Sequence, residues 1–242
     1  MIARQRLWLF GAAGAAWGVL LLQSGGWLPP ALCLSPLSGG SSRFIREWEA
    51  VVGSSLFLTT VQAWGLMLVA MMLPLLAGPL LQLNVQSFPR RRNEARMLFL
   101  AGYALTWAAA LTVILALLLG IRSLGMSGPV RLAQPALFAV AALWQGTFWK
   151  RRALAACHRP GLIRAFGWQA SWDSFRFGLS HGSACVANCW FAMAAMSFGD
   201  HSTVPALALA MVLFAERNDM RPQIRASQVI LLLLGVSASL PG

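Results

Sequence analysis

Residues 175–196 read Phe-Arg-Phe-Gly-Leu-Ser-His-Gly-Ser-Ala-Cys-Val-Ala-Asn-Cys-Trp-Phe-Ala-Met-Ala-Ala-Met. A bilayer-spanning helix needs about 20 mostly apolar residues. The run from 175 to 198 meets that length, and it is not alone. Similar runs cover residues 7–28, 58–83, 97–119 and 132–149, with shorter ones at 204–215 and 226–240. The expected fold is therefore all-α: a polytopic transmembrane helix bundle of about seven spans. The last two runs are near the lower length limit, so six spans plus one re-entrant segment is the alternative. Residues 1–242 read as a single integral membrane domain, with no internal repeat.

Composition agrees. Of 242 residues, 58% are hydrophobic and only 11% charged, against roughly 25% charged in a soluble domain. That excludes an ordinary water-soluble domain, and also disorder, which needs low hydrophobicity. The net charge of +12 is read as positive loops retained on the cytoplasmic side, not as a nucleic-acid footprint. With the N-terminus cytoplasmic and seven spans, the inner segments hold Arg4, Arg6, Arg90, Arg91, Arg92, Arg96, Lys150, Arg151, Arg152, Arg159, Arg164, Arg176, Arg217, Arg221 and Arg225. The outer segments hold only Arg43, Arg46, Arg122 and Arg131. Such asymmetry is the positive-inside signal, and the expected location is the bacterial inner membrane.

The first run follows Arg4 and Arg6, but no small-x-small cleavage pattern succeeds it, so it reads as an anchor and not a signal peptide. Its Gly11, Gly14, Ala15 and Gly18 would serve close helix packing. Residues 29–53 form an outer loop rich in Gly, Ser and Pro. Residues 150–172 form a long basic inner segment, where Trp168 and Trp172 suit the interface.

Ionisable and polar residues inside a span are costly and need a reason. In the fifth run His181, Cys185, Cys189 and Met193 fall four apart. Each step of four drifts only about 40° around a helix of 3.6 residues per turn, so all four share a stripe, with Asn188 and Met196 in the same sector. Soft sulfur ligands select Cu(I), and imidazole suits copper and zinc. Residues four apart have Cβ atoms about 5–6 Å apart, so Cys185 and Cys189 could share one ion but are poorly spaced for a mutual disulfide. The plain alternative is packing, since free Cys and Met behave as hydrophobes.

A second soft group lies in the second run: Trp64, Met67, Met71, Met72 and Pro74. Met67 and Met71 share a face at a depth comparable with Cys185 and Cys189. They could complete a Cu(I) site or form a relay, or simply pack beside a proline kink. Cys157 and His158 in the basic inner segment could receive or release metal. Asp200 and His201 lie outside the fifth span, Cys33 has no evident partner, and Asp173 and Arg176 are spaced for a helix-end pair.

At these residues the chain resembles an uncharacterised bacterial family labelled predicted metal-binding integral membrane protein (domain of unknown function 2182). The resemblance runs from Trp64 onward through Met67, Met71-Met72 and Pro74, then Gly102-Tyr103 and Trp107. It continues with Gln145, Lys150 and Cys157-His158-Arg159-Pro160. It closes on Gly178-Leu179-x-His181-Gly182-x-x-Cys185-x-x-x-Cys189-Trp190-x-x-Met193 and Glu216. Two positions depart. Where the family often has a Cys four residues ahead of the basic-segment Cys, this chain has Ala153. Where it usually has adjacent Cys residues before Trp, this chain has Asn188. The resemblance implies metal binding with two thiols fewer.

The expected function is metal handling, with Cu(I) ahead of zinc because zinc wants four His, Cys, Asp or Glu ligands and acidic residues are scarce. No Walker motif is present, so movement of the ion would rest on ligand exchange with a metallochaperone or a larger membrane complex. The alternative is a structural or assembly subunit of a respiratory or oxygenase complex. An enzyme is disfavoured, since no nucleophile–base–acid set stands out.

Overall fold

A computed structural model describes residues 2–24, 27, 55–123, 130–164, 166–198, 203–218 and 224–239. Among them the chain is mostly helical, with residues 158–164 a non-helical connection and no strand. The α-helices are α1 (Ile2–Ser24), α2 (Ser55–Met72), α3 (Ala77–Gln86), α4 (Arg92–Ser123), α5 (Val130–Gln145), α6 (Phe148–Cys157), α7 (Gly167–Phe198), α8 (Thr203–Asn218) and α9 (Ile224–Ser239). Cys33, Asp200, His201 and the outer loop lie outside the described residues.

α7 is the hub. It packs along α4 and also meets α5, α6 and α8; α9 lies on α5, and α1 lies on α2. The α4–α7 crossing is close because two glycines face each other's backbone. A Cβ at Gly178 would overlap the Phe99 carbonyl, and one at Gly102 the Phe175 carbonyl. Without side chains there, the helices approach at backbone distance.

Breaks between helices have local causes. Pro74 has no N–H to continue the α2 ladder. It opens a 3-10 turn, Pro74–Leu76, and the segments Val61–Met72 and Pro74–Gln86 meet at 49°. The apolar run expected at 132–149 is two helices. Thr147 ends it by accepting a bond from the Lys150 N–H at 3.1 Å, an N-cap that starts α6.

Two stretches are long and apolar enough to cross a membrane, Leu7–Ser24 and Pro89–Leu117, or three if the bent pair is one span. Seven are not found among the described residues. For α5, α8 and α9 the reason is length: they have 16 residues each, which at 1.5 Å per residue rise about 24 Å, short of a hydrocarbon core of about 30 Å. For α7, which carries the fifth expected span, it is polarity: the helix has 32 residues but is not among the candidate spans, because Arg176, His181 and Asn188 interrupt its apolar run. On α1 the glycines are not the packing face. A Cβ at Gly11, Gly14 or Gly18 would meet nothing within 4 Å. Ala13 and Ala16 are buried instead, and Trp17 donates from Nε1 to the Ala70 carbonyl at 3.1 Å.

Candidate metal centre

The α7 stripe points inward. His181, Cys185, Cys189, Met193 and Met196 are all buried, as four-residue spacing on a helix requires of one face. α6 brings a second stripe against it. Once Thr147 fixes the first turn, Lys150, Ala153 and Cys157 fall three and seven residues apart, and all three are buried.

Cys157 thereby meets Cys185, Sγ to Sγ at 3.9 Å. Both thiols are free. The gap is nearly twice a disulfide bond of about 2.05 Å, yet two sulfurs that far apart can both reach one ion at about 2.3 Å. Cys189 sits one turn along and donates to the Cys185 carbonyl, Sγ to O 3.1 Å. Beside the spacing-based pairing of Cys185 with Cys189, the fold adds a tertiary pairing of Cys185 with Cys157. Among the described residues no three His, Cys, Asp or Glu side chains converge into a metal-holding group.

The Cys157 thiol, on the short α6, is held below its ordinary pKa. Its hydrogen bond with Cys185 contributes most, burial opposes it, and the positive charges of Arg217 and Lys150 add to the lowering. A thiol so placed loses its proton more readily, and the thiolate is the metal ligand.

His181 is enclosed by rings: Phe99, Phe177 and Tyr103 have centroids 5.9, 6.0 and 6.2 Å from its own. Its Nε2 faces Arg217 Nη2 at 3.4 Å. A guanidinium can only donate, so the imidazole Nε2 accepts. His158 is exposed and its ring is engaged elsewhere. Nδ1 lies 2.8 Å from the Leu154 carbonyl, and Nε2 lies 2.8 Å from the Arg217 carbonyl. Of the Cys157-His158 pair, the thiol therefore faces the centre and the imidazole does not.

Next to Cys189 lies a buried ion pair that the sequence reading treated as topology and motif only. Lys150 Nζ donates to Glu216 Oε2 and to the Asn188 carbonyl, each at 2.8 Å. Both side chains are 4% exposed. Asn188 Oδ1 and Glu216 Oε1 have no hydrogen-bond partner. Gln145, Lys150, Asn188 and Cys189 help line a cavity of about 10 Å³, at the lower limit for one water. A signal for this pair did exist: Glu216 is a lone carboxylate at the end of an apolar run.

Met67, Met71 and Met72 of α2 belong to the same buried cluster as Cys157, Cys185, Cys189, Met193 and Met196. The bridge between α2 and α4 is Trp64 against Trp107, with centroids 5.7 Å apart. Asp173, spaced for Arg176, instead accepts from the Arg164 N–H at 3.2 Å and pairs with Arg164 Nε at 3.6 Å.

Residues 61–239 match the family model PpoB2, described as a copper chaperone. No curated protein and no solved structure matches the chain.

Proposed function

Since the chain belongs to the PpoB2 copper chaperone family, we propose that it is a multi-pass membrane protein that takes up Cu(I) and passes it to a copper-requiring partner. The observation that carries this reading is the buried Cys157–Cys185 pair, from separate helices, with sulfurs 3.9 Å apart. Two thiols on two elements make a soft site that closes only in the folded chain. Cys189, Met193, Met67 and Met71 line the same core and offer weaker soft donors nearby. Thiolates and thioethers select Cu(I) over harder ions. Zinc fits less well, because the buried carboxylate Glu216 is committed to Lys150.

The cargo moves by ligand exchange. A thiolate of Cys157 attacks an ion held by a donor's sulfurs, Cys185 follows, and the thiol protons leave as the ligands bind. The role is non-enzymatic. The membrane setting is supported by the apolar exterior: Leu143 and Val204 are each 73% exposed, and large apolar patches mark a membrane or partner surface. A bacterial inner membrane is the proposed location, with basic segments inside.

The test is elemental analysis of the purified chain after anaerobic Cu(I) loading. Near-stoichiometric copper is expected in the native chain, and loss in Cys157→Ser and Cys185→Ser. Near-zero copper in all three would remove the thiol site. It would favour a second reading, an assembly subunit of a larger membrane complex, which the lack of a three-ligand group among the described residues supports.

A further inference from the structure

α6 has two unlike faces. Lys150, Ala153 and Cys157 are buried, whereas Phe148, Trp149, Arg151 and Arg152 are exposed. Arg159, just past the end of the helix, is exposed too. Phe148, Arg151, Arg152 and Arg159 together line an open hollow of about 480 Å³, within the range of about 300–1,000 Å³ usual for small-molecule sites. Three guanidiniums around one hollow suit an anion. Each is a planar fork of donors that matches phosphate oxygens two at a time. The carboxylates among the described residues are engaged elsewhere: Glu94 with Arg91, Asp173 with Arg164 and Glu216 with Lys150. We propose that Arg151, Arg152 and Arg159 hold the phosphate of an anionic phospholipid at the membrane surface. The inference rests on the membrane part of the reading above and not on copper.

The aromatic residues identify the occupant. Phe148 and Trp149 are 62% and 65% exposed, with ring centroids 6.1 Å apart. Water gives no reason to present two such rings beside three cations. A bilayer interface does, because aromatic rings settle at headgroup depth while arginine side chains reach into the polar layer. Trp168 and Trp172, at the start of α7, are exposed as well. A free phosphate would use the guanidiniums and leave the rings in water. A phospholipid uses both: its phosphate meets the arginines, and its glycerol and upper acyl chain meet Phe148 and Trp149. Net charge then sets the preference. A zwitterionic headgroup carries its own cation, which the arginines repel, whereas an anionic one does not. The hollow therefore discriminates phosphatidylglycerol from phosphatidylcholine, on the outer side of the helix whose inner side carries Cys157.

The experiment uses the full chain, delipidated in a neutral detergent. Phosphatidylglycerol and phosphatidylcholine with identical acyl chains are offered together, and retained lipid is counted by native mass spectrometry. Arg152→Gln/Arg159→Gln removes two charges from the hollow. Arg90→Gln/Arg225→Gln removes the same charge from exposed positions elsewhere. All four side chains are exposed, so both variants should keep the native circular dichroism. The native chain is expected to prefer the anionic lipid by about tenfold, a difference of about 1.4 kcal/mol. The hollow variant should fall to near parity, and the control should stay within about twofold of native. Equal loss in both variants means a diffuse positive field and overturns the site. Inorganic phosphate that raises the thermal melt as much as phosphatidylglycerol means a free-anion site and overturns the lipid assignment. No lipid preference in a chain that needs detergent overturns the proposal alone, and leaves the hollow to an acidic partner protein. A chain recovered without detergent overturns the membrane reading and this proposal together.

Discussion

Lys150, Arg151 and Arg152 are consecutive cations, and only the first is buried. Helix phase makes the difference. The Thr147 cap sets where α6 begins, and Lys150 then shares a face with Cys157. Its partner Glu216 is equally buried, so removing one charge strands the other. Glu216→Gln should destabilise the chain by about 3–5 kcal/mol, whereas Lys150→Met with Glu216→Leu should recover most of that loss. Denaturant or thermal melts in detergent would read both. An unchanged melt for Glu216→Gln would mean that the pair is solvated in solution. At this scale the sequence disclosed the stripe His181–Cys185–Cys189–Met193, because four-residue spacing is local. It could not disclose that Cys185 pairs with Cys157, 28 residues away. That contact depends on the angle at which α6 returns to α7.

Helix existence was legible in the sequence, helix breaks only partly. Pro74 announced its bend, because a residue without an N–H interrupts the ladder. The Gly146–Thr147 break was hidden inside an apolar run that continues through Phe148 and Trp149. The glycines behaved unevenly. Those on α1 looked like a packing motif and meet nothing; Gly102 and Gly178 set the central crossing. Gly178→Ala should therefore force α4 and α7 apart and cost about 1–3 kcal/mol, in the range of overpacked cores. It should also lower copper retention, since Cys185 lies two turns along the same helix. Gly65→Ala, where a Cβ would meet nothing within 4 Å, is the control and should melt at or above the native value. Equal melts for the two would show that the close crossing is not populated in solution.

The whole molecule carries an apolar surface around a core that holds thiols, an imidazole and an ion pair. Leu7 and Trp8 on α1 are 76% and 70% exposed, and α9 exposes Val229, Leu232, Leu233 and Val236. Water would not tolerate that surface on a monomer. The expressed chain should stay with the membrane fraction through an alkaline carbonate wash and leave it only with detergent. Recovery in the supernatant without detergent would sink the membrane reading.

By itself the sequence determined the all-helical class, the positions of the apolar runs and the soft-ligand character of the fifth. These follow from composition and local periodicity, which need no partner segment. The tertiary structure alone decided which ligands meet. It placed Cys157 against Cys185, turned His158 toward carbonyls, paired Lys150 with Glu216 and set Arg217 against His181. Each of these depends on how helices far apart in the chain cross, and burial energy over the whole core settles that arrangement.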